Sequence, residues 1–265
     1  MKENKFIVIS TVYNKEKWVG FNVNSIKQQS YKNFIAAYAY DLSEDKSIWE
    51  LYRSISQDER FHIIENKDQE NRSCTGNFLN CYKELKERNL IQPEDIIVEV
   101  DADDWLLHPF VFDYLNQAYQ DPYVWMTYGH YIEYPTGQVG GHFHMHLRDD
   151  NNVREYPFAY SHLKTYKAWL FDRIPEDYFR DPRTGKYWKT TADFAICMPM
   201  VEMAGKDRIV RFDQPIYVYN RSEDLGSESM TKLEEQKEAE RLIRQFKPLE
   251  KISTEEFYEL HKYKS

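Results

Sequence analysis

Ile96-Ile97-Val98-Glu99-Val100-Asp101-Ala102-Asp103-Asp104-Trp105 changes character within a few residues. An apolar run of strand length emerges into three carboxylates, Asp101, Asp103 and Asp104. Like charges packed this closely repel, and burial penalises each of them. A divalent cation relieves both problems. Hard cations such as Mg²⁺ and Mn²⁺ prefer carboxylate oxygens, with substrate phosphates often completing the shell. Asp101 and Asp103, two apart in an extended turn, can face one crevice. The bland alternative is an acidic turn after a buried strand, because a bare Asp-x-Asp recurs by chance. The strand that precedes it favours the metal–phosphate reading, since ligands of open α/β sheets bind outside the carboxyl ends of strands.

Working outward, the same alternation repeats. Phe6-Ile7-Val8-Ile9 is a continuous apolar run suited to a strand buried on both faces. Trp18, Val19, Val23 and Ile26 then share one helix face. Asn33 to Tyr40 reads as a second strand, ending at Asp41. Ile48, Leu51, Tyr52 and Ile55 mark a helix, and Arg60 to Glu65 a third strand. Phe78, Tyr82 and Leu85 mark a helix before Pro93. Strand and helix alternating through the first hundred residues predict a mostly parallel sheet covered by helices. Thr11, Tyr13, Asp41, Asn66 and Asp101 all fall just past strand ends, so they are expected to line one crevice.

The second half is less regular. Tyr123 to Tyr134 reads as a strand. Ser161 can cap a helix carrying Leu163, Tyr166, Leu170 and Ile174. Asp193 to Ala204 reads as a helix ending at Gly205, kinked or broken at Pro199. Arg208 to Phe212 and Pro215 to Asn220 read as two short strands. Thr231-x-x-Glu234 and Ser253-x-x-Glu256 have capping-box spacing in a charged helical tail.

Composition narrows the classes. The 265 residues suffice for a large core without disulfides or a structural metal. No apolar run is long enough for a membrane span. The net charge of −9 argues against a nucleic-acid partner, which calls for a basic face. Three cysteines, Cys74, Cys81 and Cys197, without close metal-ligand spacing read as reduced thiols. With no signal-peptide pattern at the N-terminus, a cytoplasmic location is expected.

Four blocks carry a resemblance: Phe6 to Asn14, Ser25 to Phe34, Asp41-Leu-Ser-Glu-Asp45, and Val100-Asp-Ala-Asp-Asp104. In order and spacing they resemble the N-terminal half of a family 2 glycosyltransferase of the GT-A fold, across roughly the first 110 residues. The resemblance implies a Rossmann-like α/β sandwich and a nucleotide-sugar donor. It implies that Asp101 and Asp103 serve a Mn²⁺ or Mg²⁺ on the diphosphate, with Asp104 a third acid. It places Thr11 and Tyr13 at the base and ribose, and Asp41 at a hydrogen bond to the base. Arg72 or Asn77 falls where the diphosphate is approached. Two departures stand out. Asp41-Leu-Ser-Glu-Asp45 differs from the usual adjacent acids and Gly, and Tyr217 to Arg221 lacks a His that some members use as a metal ligand.

Transfer with inversion needs a base for the acceptor hydroxyl. Asp193 is the candidate, at a helix start where the dipole stabilises a carboxylate. The alternative is a simple N-cap. Asp172, Asp177 and Asp181 read as surface charges. Trp188 sits in a loop-like context suited to stacking on a sugar, and Arg221 is a plausible counter-charge to the diphosphate. His142, His144 and His146 share a face if their segment is a strand, where they would line the acceptor cleft, form a polar face, or bind zinc. His162 would face the pocket or sit in a first helical turn.

The expectation is thus an α/β GT-A sandwich with a mostly parallel sheet. Residues 1–230 form one catalytic domain, 1–110 the donor half and 111–230 the acceptor half, and 231–265 form a helical extension. It would act as an inverting, metal-dependent glycosyltransferase on a glycan or other hydroxyl acceptor. Two rivals use the same acids: a metal-dependent phosphohydrolase, needing ligands for a second metal, and a non-catalytic nucleotide-sugar-binding domain.

Overall fold

The computed structural model of the chain describes residues 1–67, 73–141, 153–222 and 230–261. The first part alternates as expected: β1 (Phe6–Val12), α1 (Val19–Lys27), β2 (Phe34–Tyr40), α2 (Ser47–Ile55), β3 (Phe61–Glu65), α3 (Cys74–Glu87) and β4 (Ile96–Glu99). The remainder comprises β5 (Trp105–Leu106), α4 (Val111–Ala118), β6 (Met126–Tyr134), β7 (Val139–Gly140), β8 (Lys164–Lys167), α5 (Ala168–Phe171), α6 (Ala192–Ala204), β9 (Ile209–Asn220), α7 (Met230–Ile243) and α8 (Thr254–His261).

One sheet runs β3-β2-β1-β4-β8-β6-β9-β5, with β7 paired to β6. β3, β2, β1 and β4 are parallel. β8 runs antiparallel between β4 and β6, β9 returns parallel to β6, and β5 closes antiparallel on β9. Alternate residues of β1 explain the sandwich. Ile7 and Ile9 face one core with α3 and α6. Phe6, Val8 and Val12 face the other with α1, α2 and α4. Strands buried on both faces read as unbroken apolar runs, which is why β1 and β4 are plain in the sequence.

Two expectations of the second half need correction. The helix expected from Ser161 is instead the strand β8 followed by the short α5. Tyr166 belongs to the strand and Leu170 to the helix, so their helical spacing spans two elements. The slot between β4 and β6 demands a hydrogen-bonded strand, and that pairing overrides the local period. The two strands expected around Pro215 are one, β9. Its register against β6 shifts on either side of His130, where Pro215 is paired. Proline has no N–H to give to a ladder, so an irregularity there is the natural outcome. Helix α6 continues through Pro199 without a break.

The C-terminal helices pack on their own chain. Ala239, Leu242 and Ile243 of α7 bury against Trp188 and Ala195. Phe257 of α8 lies 5.1 Å from Trp125, ring to ring. Ser253 Oγ accepts the Glu256 N–H at 3.0 Å, as its capping spacing predicted. Among the described residues, no helix is long and apolar enough to cross a membrane.

Candidate active site

The carboxyl ends of β1, β2 and β4 open into a cleft of about 560 Å³. Thr11, Tyr13, Asp41 and Asp101 line it, as their places past strand ends predicted, and Asp103 joins them; Asn66, expected with them, is not among the lining residues. Tyr13 is exposed at the cleft, a flat ring available for stacking. Asp41 is almost fully buried, its backbone N–H donating to the Val12 carbonyl at 3.0 Å. Asn77 lines the opposite wall with Ser73 and Cys74. Ser73 caps α3, accepting the Gly76 N–H at 3.0 Å, so that helix N-terminus faces the cleft. A helix N-terminus favours anions such as phosphate. Asn66, named with the strand-end residues, donates to Asn77 Oδ1.

The acidic turn is shaped from several elements. Asn22 on α1 donates to the carbonyls of Asp101 and Asp104, at 2.9 Å each. Tyr38 on β2 fixes Asn22 in turn, its hydroxyl donating to Asn22 Oδ1 at 2.8 Å. Tyr217 on β9 accepts the Asp101 N–H at 3.1 Å and donates to Asp104 Oδ2 at 2.8 Å. Asp104 Oδ1 accepts the Asn220 N–H at 2.7 Å. Both oxygens of Asp104 are therefore committed to β9, and its carboxylate anchors the turn. Burial, with Asp101 and Asp103 nearby, pushes its pKa well above the carboxylate range.

Asp103 differs. Its Oδ2 lies 2.6 Å from Lys15 Nζ, so a tethered cation already balances its charge. Burial and the charge of Asp193 push Asp101 up to about 6, despite Lys164. A carboxylate held this high gains from a divalent counter-ion. Asp101, Asp104 and His162 each carry an atom of ligand type, all within 4.8 Å of one another, although both Asp104 oxygens are already hydrogen-bonded to β9 and Asp103 lies outside this cluster. This cluster is the one of its kind among the described residues. Carboxylate oxygens with an imidazole suit Mn²⁺ or Mg²⁺ better than a thiolate-seeking metal. His162 stacks on Tyr217, 4.7 Å between ring centres. Burial and the neighbouring Lys164 lower it to about 3, leaving its imidazole neutral.

Asp193 lies in the first turn of α6, after Thr191 in a left-handed conformation (φ 64°). It is inside the helix and not its N-cap. Its side chain is 46% exposed, and Oδ2 lies 2.8 Å from Lys164 Nζ. Burial alone would raise its pKa, but the Lys164 ammonium outweighs that and holds it below the usual carboxylate value. The chain thus brings Asp193 into the electrostatic reach of Asp101, across the buried Lys164.

Other expected residues lie elsewhere. Trp188 is buried with Ala195 and α7, its Nε1 donating to the Tyr178 carbonyl at 2.9 Å. Its neighbour Lys189 lines the cleft instead. Arg221 turns to Glu133, 3.1 Å away at the surface. Arg72 and His142, His144 and His146 lie outside the described residues. Asp172 pairs with Lys86 and Asp181 with Arg183, as surface charges do. Lys15, Lys164 and Lys189 carried no signal in the sequence reading. The alternation of Lys164 and Tyr166 would have exposed the first of them, had their segment been read as a strand.

A family model described as glycosyl transferase family 2 matches residues 7–175. Compared with curated protein sequences, the chain has no match. Among solved structures it is similar to S. aureus TarS 1-349 in complex with UDP-GlcNAc. The TM-score is 0.60 at 17% identity, covering 84% of this chain and 60% of that one. It is also similar to glucosyl-3-phosphoglycerate synthase from Mycobacterium tuberculosis, with Mn²⁺, UDP and glucosyl-3-phosphoglycerate. There the TM-score is 0.59 at 12% identity, covering 91% and 80%. A third is the mannosyltransferase PcManGT from Pyrobaculum calidifontis with GDP-Man and Mn²⁺. Its TM-score is 0.57 at 15% identity, covering 83% and 57%. This chain therefore spans well short of the full TarS and PcManGT chains. At these identities the likeness speaks for the fold, a GT-A sandwich, and the family model speaks for descent: the chain belongs to glycosyl transferase family 2.

Proposed function

We propose that the chain transfers a sugar from a nucleotide-sugar donor to an acceptor hydroxyl, with inversion. The observation that carries this reading is the convergence of Thr11, Tyr13, Asp41, Asp101 and Asp103 on one cleft. The bound nucleotide-sugars and Mn²⁺ of the structural neighbours support it. Residues 1–110 would hold the donor and 111–230 the acceptor side, with 231–265 as a packed brace.

Tyr13 stacks on the base and Asp41 accepts a hydrogen bond from it. Thr11 contacts the ribose. The N-terminus of α3, with Asn77 in its first turns, receives the diphosphate; Arg72, just before it in the sequence, is the other candidate for this role. Asp103 and Asp101 would hold a Mn²⁺ or Mg²⁺, whose charge would offset that of the diphosphate leaving group. Lys15, 2.6 Å from Asp103, is a neighbouring cation on the same side of the cleft. Asp193 takes the proton of the acceptor hydroxyl as its oxygen bonds to the anomeric carbon. The bond from that carbon to the phosphate oxygen breaks, and its electron pair leaves with the nucleotide. A two-metal phosphohydrolase would need ligands for a second ion beside these acids, and the family model favours the transferase over it.

The test is a thermal-shift screen with UDP-, GDP-, CMP- and dTDP-sugars, each with Mn²⁺ and with EDTA. Binding to the folded state alone stabilises by about 2.7 kcal/mol at a hundredfold excess over Kd. A shift with one nucleotide class that requires metal is expected. No shift with any donor would sink the transferase reading.

A further inference from the structure

Lys164 is 2% exposed, on β8 two residues from Tyr166 of the apolar core. Burying an ammonium costs several kcal/mol unless it is well paired. Its partners lie in two directions. Glu99 is its direct neighbour in the β4–β8 register, with Oε2 3.9 Å from Nζ. The other oxygen of Glu99 accepts the Tyr166 hydroxyl at 2.5 Å. Toward the cleft, Nζ meets Asp193 at 2.8 Å. A chain of contacts thus runs from Tyr166 in the core through Glu99 and Lys164 to the half-exposed Asp193. Tyr166 and Lys164 are fixed in a central strand, so the end of this chain is fixed too.

We propose that Lys164, braced from behind by Glu99 and Tyr166, is the positioning residue for Asp193, holding its carboxylate toward the cleft in one orientation. This inference rests on Asp193 being the base. A base must lie within hydrogen-bond reach of the proton it removes, and a displacement of about 1 Å can cost on the order of a hundredfold in rate. A lysine that served only to neutralise buried charge would matter for stability but not for the turnover step.

The test compares K164M, K164R, D193N and K164M/D193N. A further variant, K164M/E99Q, removes the carboxylate that K164M leaves without its cation. Nucleotide release to water is measured with UDP-GlcNAc, UDP-glucose and GDP-mannose plus Mn²⁺, alongside donor Kd by calorimetry. Lys164→Met is expected to lower kcat about 10- to 100-fold with donor Kd within about twofold. K164M/D193N should be no slower than D193N alone, and K164R should recover part of the loss. A crystal structure of K164M, or of K164M/E99Q if K164M does not fold, should show the Asp193 carboxylate turned from its present direction. Full kcat in K164M with D193N slow, an additive loss in the double variant, or an unmoved Asp193 would overturn the inference. Full kcat in D193N would instead remove the base reading beneath it.

Discussion

Residues 1–110 and residues 111–230 build one sheet by different means. The first part lays down four parallel strands in the order β3-β2-β1-β4, one of the orders of doubly wound sheets. The second inserts an antiparallel strand, β8, and sends the long β9 back along β6. The cleft follows the same division. Its lining comes almost entirely from the first part, with Lys189 the exception. What the second part supplies is mostly hidden: Tyr217 and Asn220 behind the acidic turn, Lys164 behind Asp193. The second stretch thus adds its support to that already given from the first by Asn22 and Tyr38.

That contrast can be broken at its lining, at its support, or at its edge. The largest effect belongs to the lining. Asp103→Ala should reduce metal-dependent turnover about 10²- to 10³-fold, the size seen when one stabiliser of developing charge is lost. Retention of full Mn²⁺-dependent donor turnover would show that the acidic turn is only structural. The support should matter next. Tyr217→Phe removes one hydroxyl that serves both Asp101 N–H and Asp104 Oδ2. Leaving buried groups unsatisfied costs about 1–3 kcal/mol. A melting temperature lower by several degrees, together with weaker Mn²⁺ binding by calorimetry, is expected. Unchanged metal affinity would mean that the turn keeps its shape without β9. The smallest effect lies at the edge. Arg221→Ala breaks a surface pair with Glu133 and should change stability by no more than about 0.5 kcal/mol. A marked loss of donor affinity in that variant would return Arg221 to the cleft.

The legibility of the chain divides along the same line. Phe6 to Val12 and Ile96 to Glu99 announce themselves because strands buried on both faces leave no polar interruptions. Thr11, Asp41 and Asp101 were legible because topology alone puts strand ends together. β8 is hidden because its four buried residues include two lysines, and their alternation with Tyr166 means burial only once the segment is known to be a strand. Its place depends on partners in β4 and β6, far away in sequence. Trp188 misled for the opposite reason. Its polar neighbours, Lys186 and Lys189, suggest a loop in solvent, while α7, some fifty residues later, covers it. Thr11 and Asp193 were read from chemistry and position. Lys15 was not, because a single lysine in a turn says nothing until the carboxylate it meets is known.

The joint between Asp104 and β9 bears on the order in which the molecule is assembled. Tyr217 and Asn220 reach Asp104 across 113 and 116 residues. Closing so long a loop costs only logarithmically more than closing a short one, but the contact must wait for both ends to exist. Among the described residues the last to line the cleft is Lys189, and the family model ends at residue 175. A chain cut between Lys189 and Tyr217 would therefore carry all of these described lining residues and still leave the Asp104 carboxylate with neither of its β9 partners. During synthesis the acidic turn stays unfinished until the final strand of the sheet has emerged.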